Sequence, residues 1–183
     1  YTREDQVLYG ATVAGRPPEL AGIETAVGLF INTLPTRIHV DAEAIAADWL
    51  KDIQTQQWKL RQFEHSSLAD VQRWSELPAG ESLFDSIVVV ENLPDDLSTV
   101  AGRVGLGVSQ LTVIDESNYP LALLATPGDE LEIKLVFDAH LFDQRLMDRM
   151  LDHVAVLLDS FVESPTARIN QLSMLTEDDR QEL

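Results

Sequence analysis

The 183-residue chain contains no cysteine, so disulfides, thiolate metal sites and cysteine nucleophiles are excluded. It is poor in positive charge: 13 Lys and Arg stand against 31 Asp and Glu, a formal net charge of -18. A nucleic-acid surface requires a basic footprint, and an anionic membrane surface attracts the same sign, so neither partner is expected. No apolar run reaches the ~18 residues of a membrane span. The four histidines, His39, His65, His140 and His153, show no pairing at metal-ligand spacing, and no metal is expected. His140 with Asp143 is read as a turn histidine beside a helix-capping aspartate. The stretch with glycine at 102, 105 and 107 does not fit a dinucleotide fingerprint, and no nucleophile-elbow or P-loop pattern occurs. Tyr1-Thr2-Arg3 is no signal peptide and reads as a point inside a longer protein, in keeping with a cytoplasmic location.

What remains is a chain with 45% hydrophobic residues, enough for one domain with its own core. Val7–Val13 reads as a strand ended by Pro17 and Pro18. Val27–Val40 reads as strand segments broken at Pro35. Asp41 is expected to cap a long amphipathic helix with Ile45, Trp49, Ile53, Leu60 and Phe63 on its stripe. A short helix through Leu68, Val71 and Trp74 follows. Ile87–Val90 has the pattern of a strand buried on both faces. Val104–Ile114 is expected to be extended, and Leu121–Thr126 and Leu131–Phe137 form a hairpin around Pro127 and Gly128. Asp143 caps a helix striped by Met147, Met150, Leu151, Val154, Leu158 and Phe161. The tail from Ile169 to Leu175 is expected to be extended, before a capping-box start at Thr176. The order β, α, several β, α predicts an α/β sandwich: one mixed sheet with helices packed on it.

Residue chemistry alone yields no complete active site, but several segments resemble the condensation domains of nonribosomal peptide synthetases. Gly10, Gly15 and Arg16 fit the family's G-x-x-x-x-G-R stretch. The run Val27-Gly28-Leu29-Phe30-Ile31-Asn32-Thr33-Leu34-Pro35-Thr36-Arg37 is similar to its fifth core motif and is the specific match. Ser117-Asn118-Tyr119-Pro120-Leu121 resembles a further motif around a Tyr-Pro pair. Leu83-Phe84-Asp85 leading to Glu91-Asn92-Leu93-Pro94 supports the match. The closing Leu172–Thr176 resembles the linker into an adenylation domain. The resemblance implies a chloramphenicol acetyltransferase-like lobe over residues 1–168, with 169–183 starting that linker.

It implies further that two such lobes enclose a tunnel. There a carrier-bound acyl or peptidyl thioester is attacked by a carrier-bound amine, both delivered on phosphopantetheine. The family's His-His-x-x-x-Asp-Gly motif belongs to the other, N-terminal lobe, and no adjacent histidine pair occurs in this sequence. The chain is therefore expected to be one wall of the tunnel, inactive alone, with no catalytic residue of its own. Its implied partners are the N-terminal lobe, carrier proteins and a downstream adenylation domain.

Gly10 and Gly28 are expected to allow close backbone approach or positive φ. Asn32 either lines the tunnel or makes an internal backbone hydrogen bond. Arg16 and Arg37 either hold the lobe together through ion pairs or meet phosphopantetheine phosphate. Ser117 and Asn118 face the tunnel or serve the turn that Tyr119 and Pro120 shape. Two other readings stand beside this one: a docking module without chemistry, and half of an epimerisation-type domain.

Overall fold

The computed structural model describes residues 4–16, 20–23, 25–78, 80–91 and 117–182. In chain order these form β1 (Gln6–Val13), β2 (Asn32–His39), α1 (Ala46–Arg61), α2 (Leu68–Trp74), β3 (Ser86–Val90), β4 (Leu121–Thr126), β5 (Glu132–Phe137) and α3 (Gln144–Glu163), then a 3-10 turn at Ile169–Gln171 and a short α4 (Glu177–Glu182). The expected strand at Val104–Ile114, the glycines at 102, 105 and 107, and Asn92–Pro94 lie outside the described residues.

The strands form one mixed sheet in the order β2-β1-β3-β4-β5. Its two edges are antiparallel, β1 with β2 and β4 with β5, and its centre is parallel, β1 with β3 and β3 with β4. Side chains alternate across a strand, so the register assigns each residue to a face. The first face gathers Tyr9, Ala11, Leu34, Thr36, Ile38, Val88, Leu123 and Leu135. Leu34, Thr36 and Ile38 are buried there. α1 covers this face, with Gln57 Nε2 3.5 Å from the Tyr9 hydroxyl. α3 packs on β5 and stacks on α1, Phe161 lying 6.1 Å from Trp49 with their rings nearly parallel. Burial under this layer raises the Tyr9 pKa, and the bond to Gln57 opposes the shift. The second face carries Leu8, Gly10, Arg37, Ile87, Val89, Ala122, Leu124, Lys134 and Val136. Leu8, Arg37 and Lys134 are exposed, Ile87, Val89, Leu124 and Val136 half-buried, and Gly10 and Ala122 buried.

Four local expectations are corrected. Pro35 does not break its strand, because β2 is an edge, where a proline nitrogen turned outward forfeits no ladder bond. The apolar residues at 27–31 lie before that strand rather than in it. Asp41 does not cap α1: its carboxylate accepts from the Glu43 amide at 3.0 Å, and the helix begins after Ile45, which makes no side-chain cap. The orphaned amides of Ala46 and Ala47 donate instead to the carbonyls of Ala167 and Pro165, each at 2.9 Å. Residues 169–171 form a 3-10 turn rather than extended chain, because Gln171 and Leu172 donate back to Arg168 and Ile169.

β3 is central yet not sealed on both faces: its residues are half-buried and Val90 is 62% exposed. Asp143 does cap α3, its carboxylate accepting from the amides of Arg145 and Leu146 at 3.0 and 3.4 Å.

Candidate functional site

The residues singled out from the sequence separate into two groups at different ends of the sheet. Asn32 and Thr33 pair with Val13 and Thr12, at the end where β1 finishes. Ser117–Pro120 precede Leu121, which pairs with Ser86 at the start of β3. Because β1, β3 and β4 are parallel, these positions lie towards opposite strand ends, and strand pairing alone does not join them.

The first group is built around a loop. Gly15 has φ +62°, and a Cβ there would lie 1.8 Å from the Phe30 carbonyl oxygen, so both conformation and space require glycine. The adjacent Arg16 donates through Nη1 to the carbonyls of Ile23 and Ala26, the latter at 2.9 Å, and through Nη2 to that of Gly28 at 3.4 Å. Its guanidinium lies 4.4 Å from the Phe30 ring centroid. Among the described residues, Arg16 therefore folds the loop by satisfying carbonyls and stacking on an aromatic ring. Phe30 turns inward under Arg16 while Val27, Leu29 and Ile31 point out, at 103%, 99% and 71% exposure. Gly28 serves close approach, not positive φ: a Cβ there would sit 3.1 Å from the Phe30 ring.

Asn32 spends its amide on the backbone. Nδ2 donates to the carbonyls of Glu64 and Ser66 at 2.9 and 2.7 Å, and Oδ1 accepts from the Thr33 amide at 2.9 Å. It ties β2 to the α1–α2 turn. Arg37 is exposed and forms no ion pair among the described residues, which removes the expected structural pair.

Gly10 links the two groups. A Cβ at Gly10 would fall 2.3 Å from the Phe84 ring and 2.7 Å from the Thr33 methyl. Phe84 in turn stacks on Tyr119 at 5.4 Å. Gly10, Thr33, Phe84 and Tyr119, from four separated stretches, thus form one packed column. Beside it a cavity of about 400 Å³ is lined by Ser117, Asn118, Tyr119, Pro120, Val136, Phe137 and Asp138. Ser117 Oγ accepts from the Tyr119 amide at 3.1 Å, shaping the turn before β4. Asp138 is the charged group in the lining, and its Oδ1 accepts from the His140 amide at 2.8 Å. His140 is exposed, in keeping with the turn role read from the sequence.

The chain's buried histidine is one that sequence reasoning passed over. His153 on α3 is 4% exposed, with Nε2 2.8 Å from Asp179 Oδ2. The pair resembles a catalytic dyad, but the Thr176 amide and hydroxyl also converge on Asp179 Oδ2. Neither residue lines the cavity beside Tyr119. The Thr176 hydroxyl, then His153, then the Thr176 amide hold the Asp179 carboxyl down at about 2. The only advance signal was the Thr176-x-x-Asp179 capping spacing. Among the described residues, no group of three or more His, Asp or Glu side chains is arranged to hold a metal, and no helix is long and apolar enough to cross a membrane.

A mixed five-stranded sheet with antiparallel edges and helices packed on it defines an α/β fold. The chain belongs to the condensation-domain family of nonribosomal peptide synthetases, whose "Condensation domain" sequence model matches residues 1–183. It is 39% identical to a linear gramicidin synthase polypeptide of Brevibacillus parabrevis, over all of this chain and 4% of that protein. It is 38% identical to chondramide synthase cmdD of Chondromyces crocatus, over all of this chain and 5% of that protein. The chain thus spans only a small part of the length of these relatives.

Solved structures agree in fold. A four-domain nonribosomal peptide synthetase, holo-AB3403 bound to AMP and glycine, matches at TM-score 0.78 and 16% identity, over 95% of this chain and 14% of its own. The first condensation domain of the CDA synthetase matches at 0.67 and 16%, over 94% of this chain and 38% of its own.

Proposed function

We propose that this chain is the C-terminal lobe of a condensation domain and supplies one wall of the tunnel in which an amide bond forms. The upstream acyl or peptidyl thioester and the downstream amine arrive on phosphopantetheine arms of carrier proteins. The observation that carries this reading is the row Val27, Leu29 and Ile31 of the motif loop, 103%, 99% and 71% exposed. An apolar row left this open is a surface that a second lobe would cover. The 38% coverage of a solved condensation-domain chain leaves room for that lobe.

On this reading the lobe's part is positional. A general base must stand within hydrogen-bond reach of the attacking amine. Here no adjacent histidine pair exists to supply it, and the buried histidine is committed to Asp179. Holding two bulky thioesters in line is itself a large part of such a rate enhancement. The downstream adenylation domain belongs to the same proposal, as the continuation after residues 169–183.

The test is single-turnover amide formation with loaded carrier proteins. The chain alone should give no product. The chain combined with an N-terminal lobe bearing the histidine motif should restore it. Product from the chain alone would overturn the reading, and so would no product from a folded two-lobe assembly.

A further inference from the structure

The chain after α3 returns over the lobe instead of leaving it. It first crosses the start of α1, where Pro165 and Ala167 accept from Ala47 and Ala46, and Ile169 and Asn170 donate to Ala44 and Ala42 at 3.0 Å each. Arg168 and Asn170 together grip the Glu43 carboxylate, at 3.0 and 2.7 Å. It then turns back along α3, with the Ser173 amide donating to Ser160 Oγ at 3.0 Å. Beyond this, α4 is only six residues long, too short to persist as an isolated helix. Its first turn carries Glu177, Asp178 and Asp179, and of these three only Asp179 is buried.

Asp179 meets α3 with both oxygens: Oδ2 takes His153 Nε2 at 2.8 Å, and Oδ1 lies 3.3 Å from Arg149. On its own segment Oδ2 also accepts the Thr176 amide at 2.9 Å and the Thr176 hydroxyl. An ionised carboxylate can only accept, so His153 Nε2 carries the proton in this contact. A second arm, Arg180 Nη2 to Ser173 Oγ, closes the turn on itself.

We propose that residues 172–182 are a clasp, held on α3 by the insertion of Asp179 between His153, Arg149 and Thr176, which opens as a unit while the sheet and α1 stay folded. The two attachments of the tail are separable: the one at α1 rests on backbone bonds and Glu43, the one at α3 on Asp179 and on the bond from the Ser173 amide to Ser160. Asp179 gathers contacts from α3 and from Thr176 on one side chain, so removing the carboxylate weakens them together and lets the segment open as a local unit.

Hydrogen exchange on the full-length protein tests this. In Asp179→Asn, amides of 173–182 should exchange about tenfold faster or more, with Ala46, Ala47 and the sheet unchanged. Thr176→Val, changed on the clasp side alone, should give the same pattern, which keeps the test clear of damage to α3. Exchange of 173–182 unaltered in both variants would overturn the proposal. So would acceleration spread evenly over the lobe, which would make Asp179 a residue of global stability.

Discussion

Thr36 shows how one atom sets a stability prediction. Its side chain is 1% exposed under α1, and its hydroxyl finds no hydrogen-bond partner among the described residues. Thr36→Val removes an unsatisfied donor at nearly constant volume, and should raise stability by about 1 kcal/mol in urea unfolding. The glycines give the opposite sign. Gly15→Ala adds a Cβ that collides with the Phe30 carbonyl in a left-handed conformation, so a loss of about 3 kcal/mol or more is expected. Gly22 has φ +81° with nothing within 4 Å of the added atom, so Gly22→Ala should cost only about 1 kcal/mol. The difference between the two separates the clash from the strain.

Asp179 adds a pH dependence. Its folded carboxyl is held at about 2, below the ordinary carboxylate near ~4. The stabilisation it gives is therefore complete above about pH 4 and is lost as the pH falls towards 2. The difference in hydrogen exchange of 173–182 between wild type and Asp179→Asn should close over that interval, and a difference constant with pH would contradict the assignment.

At the scale of elements, the Arg16 loop and the Asn32 tie matter most. Asn32 joins the start of β2 to the turn between α1 and α2 through two carbonyls, so Asn32→Ala should destabilise the lobe by about 1–3 kcal/mol. On the proposed two-lobe reading, its effect on single-turnover rate in the intact domain should then follow the folded fraction measured by circular dichroism, and stay below the effect of losing the histidine proposed for the other lobe. A rate loss with full folding would place Asn32 on the substrate after all. The elements themselves were largely legible, because periodicity is local: the alternation through Leu131–Phe137 and the stripe from Met147 to Phe161 gave β5 and α3, and Asp143 gave the cap. The failures share one cause. Pro35 is acceptable only because β2 is an edge, and α1 is capped by carbonyls more than a hundred residues away, so Asp41 had no role to play.

For the whole molecule, the exposed row Val27, Leu29 and Ile31 and the second face of the sheet belong to one question, what covers them. If a second lobe does, replacing the three loop residues with serine should leave the thermal midpoint of this lobe unchanged and weaken its association with the histidine-bearing lobe in analytical ultracentrifugation. Equal association would place the contact elsewhere.

The sequence by itself determined the family, the α/β class and the exclusion of disulfide and thiolate chemistry that follows from missing cysteine. These depend on composition, on local period and on short motifs that survive without neighbours. The tertiary structure decided what the motif residues do. Gly10 is there for Phe84, Arg16 for the carbonyls of its own loop, and Asn32 for a turn thirty residues on. It also decided that His153 is spent on Asp179. The physical reason is common to all four: a polar or space-limited group is defined by the partner that satisfies it, and that partner is outside the reach of local periodicity, brought into place only when the chain folds.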